Sequence, residues 1–207
     1  MNRTWIELDR EALAHNIRRY QSLLPAGCRI MGVVKADAYG HGARAVAAQR
    51  WELGIRHFAT ATLDEAVQLR EAGIQGEILI LGYSAPAYFH LLAEHGLTQT
   101  ATCPDHAAQM ETYCRENGVR LKVHIAVDTG MHRIGFLPED LDAIRRVYEN
   151  GVLQVTGIYS HLCVADTDEE EHVDFSRRQA EIFKSVVESL QARGVELGTV
   201  HLLSSYA

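Results

Sequence analysis

GIRHFATATLDEAVQLREAGIQGEILILG, residues 54–82, holds one full cycle of the pattern that decides the fold. Gly54 followed by Ile55 reads as a helix ending: glycine takes the left-handed position after the last turn, and the branched apolar residue folds back onto it. HFATAT is then a short β-branched run, and Thr62 with Glu65 forms a capping box that starts the next helix. That helix ends at Gly73-Ile74, and EILILG is the next strand. A strand, a helix and a second strand in this order require a parallel pair with a right-handed crossover.

The cycle repeats along the chain. Gly96-Leu97, Gly118-Val119, Gly151-Val152 and Gly194-Val195 repeat the stop signal, and RIMGVV, LTQTAT, LKVHIAV, LQVTGIYSHL and TVHLLSS repeat the strand. Seven strands are expected in all, apolar on both sides as in a sheet covered by helices. Asp9 and Ser84 read as further N-caps, Pro138 as a first-turn residue, and Leu13, Ile17, Tyr20 and Leu24 as one helical stripe. Two architectures fit, an open doubly wound sheet and a (β/α)8 barrel. AYGHG is a poor match to the GxGxxG turn of the open sheet, which favours the barrel. No linker divides residues 1–207, so they read as one barrel domain that reaches its seventh strand and stops before an eighth.

With 47% hydrophobic and 23% charged residues the chain can bury a sizeable core. No apolar run approaches the ~18 residues of a membrane span, and the N-terminus lacks a signal peptide's apolar core, so a cytoplasmic protein is expected. The 20 basic against 27 acidic residues, a formal charge of -7, argue against a nucleic-acid surface and for small-molecule partners. Cys28, Cys103, Cys114 and Cys163 form no CxxC pair, which leaves reduced thiols as the expectation.

In a barrel, chemistry collects at the C-terminal ends of the strands. Lys35 follows strand one in VVKADAYGHG (33–42), Arg133 follows strand five in VDTGMHRIG, His161 ends strand six in YSHL, and Ser204 and Ser205 end strand seven. Singly, each has a plain explanation: a solvated strand-end charge, an arginine paired with Asp128, a core histidine bonded to a carbonyl, a capped turn. Together they suit pyridoxal phosphate. A lysine that loses solvation can attack an aldehyde as its neutral amine, a serine with backbone amides can hold a phosphate, and an arginine and a histidine can meet the ring. No metal is expected.

The local sequence is closer than this logic requires. VVKADAYGHG resembles the cofactor-lysine signature of the alanine racemase family, VDTGMHRIGF its arginine loop, and SHLCVADTDEEE with FSRRQAEIF its strand-six region. TWIELDREALAHNIR, ATLDEAVQLREAGI and HLLSSYA also fit in order, and the SHLC and HLLSSY variants are similar to the racemase domain of vancomycin-resistance-type serine/alanine racemases. The resemblance implies an incomplete fold-type III barrel and a racemase of alanine or serine that supplies D-amino acid for the cell wall. Lys35 would hold pyridoxal phosphate as an imine and act as one base. Tyr39 and Ser205 would touch the phosphate, Ser204 would bind the cofactor through a local hydrogen bond, His161 would lie against the ring, and Arg133 near the phenolic oxygen and the substrate carboxylate. The second base would be a tyrosine from a partner subunit's β domain, which implies a homodimer, and residues 3–8 would form a strand joining that domain. Two positions depart from the family: Ala126 stands where many members carry a carbamylated lysine that steers the arginine, and Ser204-Ser205 replaces Asn-Ser. Two other readings share the barrel. One is a single-domain pyridoxal phosphate-binding homeostasis protein. The other is a metal hydrolase using some of the 11 histidines with Asp166 or Asp168, for which no HxH or HExxH motif is present.

Overall fold

Thr62 starts its helix as the sequence asks. Its hydroxyl accepts from Glu65 N, the Glu65 carboxylate reaches back to Thr62 N, and Leu63–Glu71 follows as a helix. Asp9 likewise accepts from Glu11 N and Ala12 N ahead of Arg10–Leu23. Such caps contribute about 1 kcal/mol each. These details come from a computed structural model that describes residues 4–202 and 204. The chain forms two units, Met1–Gly82 and Tyr83–Ala207.

The first unit contains α1 (Arg10–Leu23), β1 (Met31–Val33), a single turn α2 (Lys35–Tyr39), α3 (Ala43–Glu52), β2 (His57–Thr60), α4 (Leu63–Glu71) and β3 (Glu77–Ile80). Its strands pair in parallel, Gly32 opposite Phe58 and Phe58 opposite Ile78. Phe58, Ile78, Leu79 and Ile80 are wholly buried, so consecutive residues of β3 lose water on both faces, as a covered parallel sheet requires. The α4 residues Leu63, Ala66 and Leu69, three apart, supply part of that cover.

The second unit contains a 3-10 turn (Pro86–Tyr88), α5 (Phe89–Glu94), β4 (Thr98–Ala101), α6 (Pro104–Asn117), β5 (Lys122–Ala126), α7 (Leu141–Glu149), β6 (Gln154–Ser160), α8 (Glu170–Ala192) and β7 (Thr199–Leu202). Here too the strands are parallel and in chain order, with Thr100 opposite His124 and Ala126, Tyr159 and His201 in one row. All seven expected strands are present, and the six glycines read as helix stops all have positive φ. The four cysteines are free thiols.

Three local expectations need correction. Ser84 caps no helix: Pro86 sets the first turn two residues later, with Ala85 at the cap position. Pro138 precedes α7 rather than opening it, because the Asp140 side chain accepts from Ala143 N and fixes the start there. On α1 the buried seam runs through Ala14 and Ile17, while Tyr20 is half exposed. Gln49 Nε2 donates to Arg10 O at 2.6 Å, so α3 lies close to the start of α1.

Candidate active site

In the first unit, β1 delivers Lys35 into an unusual turn. Ala36, Asp37, Ala38 and Tyr39 all have φ between 50 and 57°, a left-handed turn of four non-glycine residues closed by Gly40 at 84°. Each such residue costs about 1–2 kcal/mol, so the turn persists only because its surroundings fix it. Glu65 accepts from Ala36 N at 2.7 Å and also from Ala61 N at 2.8 Å, tying the turn to the start of α4. The Asp37 carboxylate accepts from Ala43 N at 2.6 Å, and its carbonyl accepts from Gly42 N. His41 Nδ1 lies 2.9 Å from Ala38 O, which only accepts, so this nitrogen carries the proton. Below the turn, Arg50 Nη1 donates to Val33 O at 2.9 Å. Gly32 leaves room for that side chain, since a Cβ there would sit 3.1 Å from Nη1. Burial pushes the Arg50 guanidinium below its ordinary value, and Tyr39 opposes the shift.

Lys35 itself is half-buried at the strand end, less enclosed than a fully dry pocket would make it. Its Nζ lies 5.9 Å from the centroid of the Tyr39 ring. Among the described residues no carboxylate forms an ion pair with it.

In the second unit, Arg133, His161 and Ser204 follow β5, β6 and β7, so all three occupy the same end of parallel strands. The arginine loop is closed at its base by Asp128 N donating to Phe136 O and Phe136 N to Ala126 O, and Gly135 N donates to Thr102 O at 2.7 Å. At its tip the Asp128 carboxylate accepts from Gly130 N and His132 N, both at 3.0 Å, with His132 Nδ1 at 3.3 Å. Burial raises the Asp128 carboxyl, but those two amides and His132 outweigh it and hold the group below its ordinary range. Asp128 therefore shapes the loop backbone, and among the described residues it forms no ion pair with Arg133. Ala126 is buried beside the loop base. The Arg133 charge instead acts on the Tyr159 phenol, which burial pushes above its ordinary value while a Thr100 hydrogen bond and Arg133 pull it back.

Four residues of this unit take no role from the motifs or strands that contain them. Tyr159 bonds Thr100 at 3.2 Å and stacks on His201 at 4.8 Å, and His201 Nε2 meets His124 Nδ1 at 2.9 Å. Strand register would have found three of them, because Tyr159 pairs with His201 and His124 pairs with Thr100. The fourth, Gln179, lies on α8 and is 1% exposed. Ser204 Oγ is buried with no hydrogen-bond partner among the described residues, and Ser205 lies outside them. Asp166 and Asp168 are exposed, and no described group of three His, Cys, Asp or Glu side chains is arranged to hold a metal ion. No helix among the described residues is long and apolar enough to cross a membrane.

Parallel strands in chain order, alternating with helices and followed by polar groups at their C-terminal ends, are the pattern of a (β/α)-barrel type of domain. The chain belongs to the alanine racemase family: the model of the alanine racemase N-terminal domain matches residues 8–207. It is 37% identical over 205 residues to an amino-acid racemase of Enterococcus faecalis, covering 99% of this chain and 28% of that protein. To a serine/alanine racemase of Enterococcus gallinarum it is 36% identical, covering 97% and 28%. Alanine racemase from Bacillus anthracis with bound L-Ala-P superposes with a TM-score of 0.89 at 32% identity, covering 100% of this chain and 53% of that one. The barrel expectation therefore stands and the open sheet falls. The chain spans less than a third of the two enterococcal relatives and about half of the solved structure.

Proposed function

We propose that the protein is a pyridoxal phosphate-dependent racemase that interconverts the L and D forms of alanine or serine, with Lys35 as the base on one face of the α-carbon. The observation that carries this reading is the lysine turn: a primary amine without a carboxylate partner among the described residues, at the end of β1 in a turn fixed by Glu65, Asp37 and Arg50. Each unit carries groups whose chemistry suits the cofactor. Lys35 offers the amine, Tyr39 a neighbouring phenol, and Ser204 a buried hydroxyl whose hydrogen-bonding capacity is unused among the described residues. When bound, pyridoxal phosphate supplies an electron sink that acidifies the substrate α-proton.

The chain's own groups do the rest. Lys35 Nζ takes and returns the α-proton on its face, general base catalysis of a kind that contributes on the order of 10²–10⁴-fold. Arg133 would bind the substrate carboxylate, and His161, Ser204 and Ser205 would help to hold the cofactor. Inversion needs a second base on the opposite face, which we assign to a tyrosine of a partner subunit outside these residues. The working protein is thus a cytoplasmic homodimer that supplies D-amino acid to the cell wall, and residues 1–207 alone exchange a proton but invert poorly.

Borohydride treatment of the full-length protein incubated with pyridoxal phosphate tests the assignment. The visible-edge absorbance should vanish, and peptide mass should place the reduced cofactor on Lys35. Lys35→Ala should abolish both the absorbance and racemisation of L-alanine or L-serine. Covalent cofactor in the Lys35→Ala protein would refute the reading.

A further inference from the structure

We propose that Gln179 is a positioning residue that locks the His161 segment and the Arg133 loop into one arrangement. The inference rests on the racemase reading, which gives those two segments their task. Gln179 comes from α8, within the FSRRQAEIF stretch, where no role was assigned to it, and its amide is saturated. Nε2 donates to Thr129 Oγ1 at 3.2 Å and to His161 O at 3.1 Å. Oε1 accepts from Cys163 N at 3.2 Å, with Cys163 Sγ at 3.5 Å. Two donors and two acceptor sites are all that a primary amide has. The same side chain therefore grips the backbone on both sides of Leu162 and, through Thr129, the loop that carries Arg133.

The hydrogens in this network have a determined direction. Ser160 Oγ donates to the carbonyl of Val127 at 2.8 Å, which uses its only proton. Thr129 Oγ1, 2.8 Å away, must then donate to Ser160 and accept from Gln179. The chain runs one way, from the Gln179 amide through Thr129 and Ser160 to the end of β5, and Gln179, Thr129 and Ser160 are all buried. Phe175, one turn earlier on α8, braces the same loop: a Cβ on Gly130 would lie 3.0 Å from its Cζ. A carboxylate at position 179 accepts but cannot donate, so it would face His161 O and Thr129 Oγ1 with the wrong polarity until it is protonated.

That reversal provides a test with a signature that general destabilisation lacks. Pyridoxal phosphate affinity of the full-length protein would be measured by absorbance titration for wild type, Gln179→Glu and the core control Phe183→Leu, at pH 6 and pH 8.5. Gln179→Glu should bind the cofactor weaker than wild type by on the order of tenfold at pH 8.5, with the gap narrowing at pH 6. Phe183→Leu should lower the melting temperature while leaving affinity unchanged at both pH values. If Gln179→Glu does not fold, Thr129→Val breaks the same chain and should weaken binding without the pH dependence. Equal affinity of wild type and the folded variant at both pH values would overturn the proposal and leave the racemase reading intact. A wild-type protein that binds no cofactor would remove the racemase reading and this proposal with it.

Discussion

The lysine turn and the arginine loop each present one cation at the end of a parallel strand, and they are held by opposite means. The turn of the first unit stores strain in its backbone, with Ala36–Tyr39 left-handed, and its restraints come from Glu65, Asp37 and Arg50 on neighbouring helices and turn residues. The loop of the second unit is braced by its own Asp128 and by a buried polar chain from α8. A short turn of five residues has little side-chain surface to bury, so it is fixed through main-chain geometry. A longer loop must satisfy its backbone amides locally, and a carboxylate at its base does so cheaply. The comparison implies that the loop should fail by steric or electrostatic insult and the turn should respond mainly to backbone substitution.

The largest effect should come from Gly135→Ala. A Cβ at that position would lie 2.5 Å from Asp128 N, which is main chain and cannot swing aside, and the φ of 131° is itself unfavourable for alanine. A loss of about 3 kcal/mol is expected in denaturant unfolding, with the arginine loop displaced. A variant that unfolds at the wild-type midpoint would mean that the loop base is not as closed as its hydrogen bonds indicate.

Acid should loosen the loop. Because the folded state holds the Asp128 carboxyl below its ordinary value of 3.8, its contribution is fully present above that value. It is lost as pH falls through 3.8 towards the folded value, at no more than about 1.4 kcal/mol per pH unit for one proton. Asp128→Asn keeps an oxygen for the Gly130 and His132 amides but has nothing to titrate. The stability difference between wild type and Asp128→Asn should therefore shrink between pH 5 and pH 2 in urea titrations. A constant difference would remove Asp128 as the electrostatic brace.

The two regions also differed in how far the sequence revealed them. Helix stops and strands were legible because Gly54-Ile55 and its repeats act within a few residues, and the Thr62–Glu65 box is local as well. Arg133, His161 and Ser204 fell at strand ends as expected because periodicity fixes where strands stop. The left-handed turn was hidden: ADAY contains no glycine to announce positive φ, and what stabilises it is Glu65, 29 residues away from Ala36. Gln179 was hidden for a related reason, since nothing local separates a saturated buried amide from a solvated one. Ser84 and Pro138 were misread where two cap signals competed and the nearer one, Pro86 or Asp140, prevailed.

The smallest effect is also the most discriminating between the two designs. Ala36 is exposed with φ 50°, so its Cβ contributes strain and little packing. Replacing it with glycine relieves about 1–2 kcal/mol of left-handed penalty and costs about 0.4–1 kcal/mol of added freedom in the unfolded chain. A net gain of about 0.5 kcal/mol is expected, read as a raised melting temperature. Ala45, exposed within α3, is the matched control, where glycine should lose about 1 kcal/mol. Opposite signs for Ala36→Gly and Ala45→Gly would show the turn to be left-handed and strained in solution. Losses at both positions would show that it relaxes there to ordinary backbone, and then Lys35 would be positioned by Glu65 and Arg50 without stored strain.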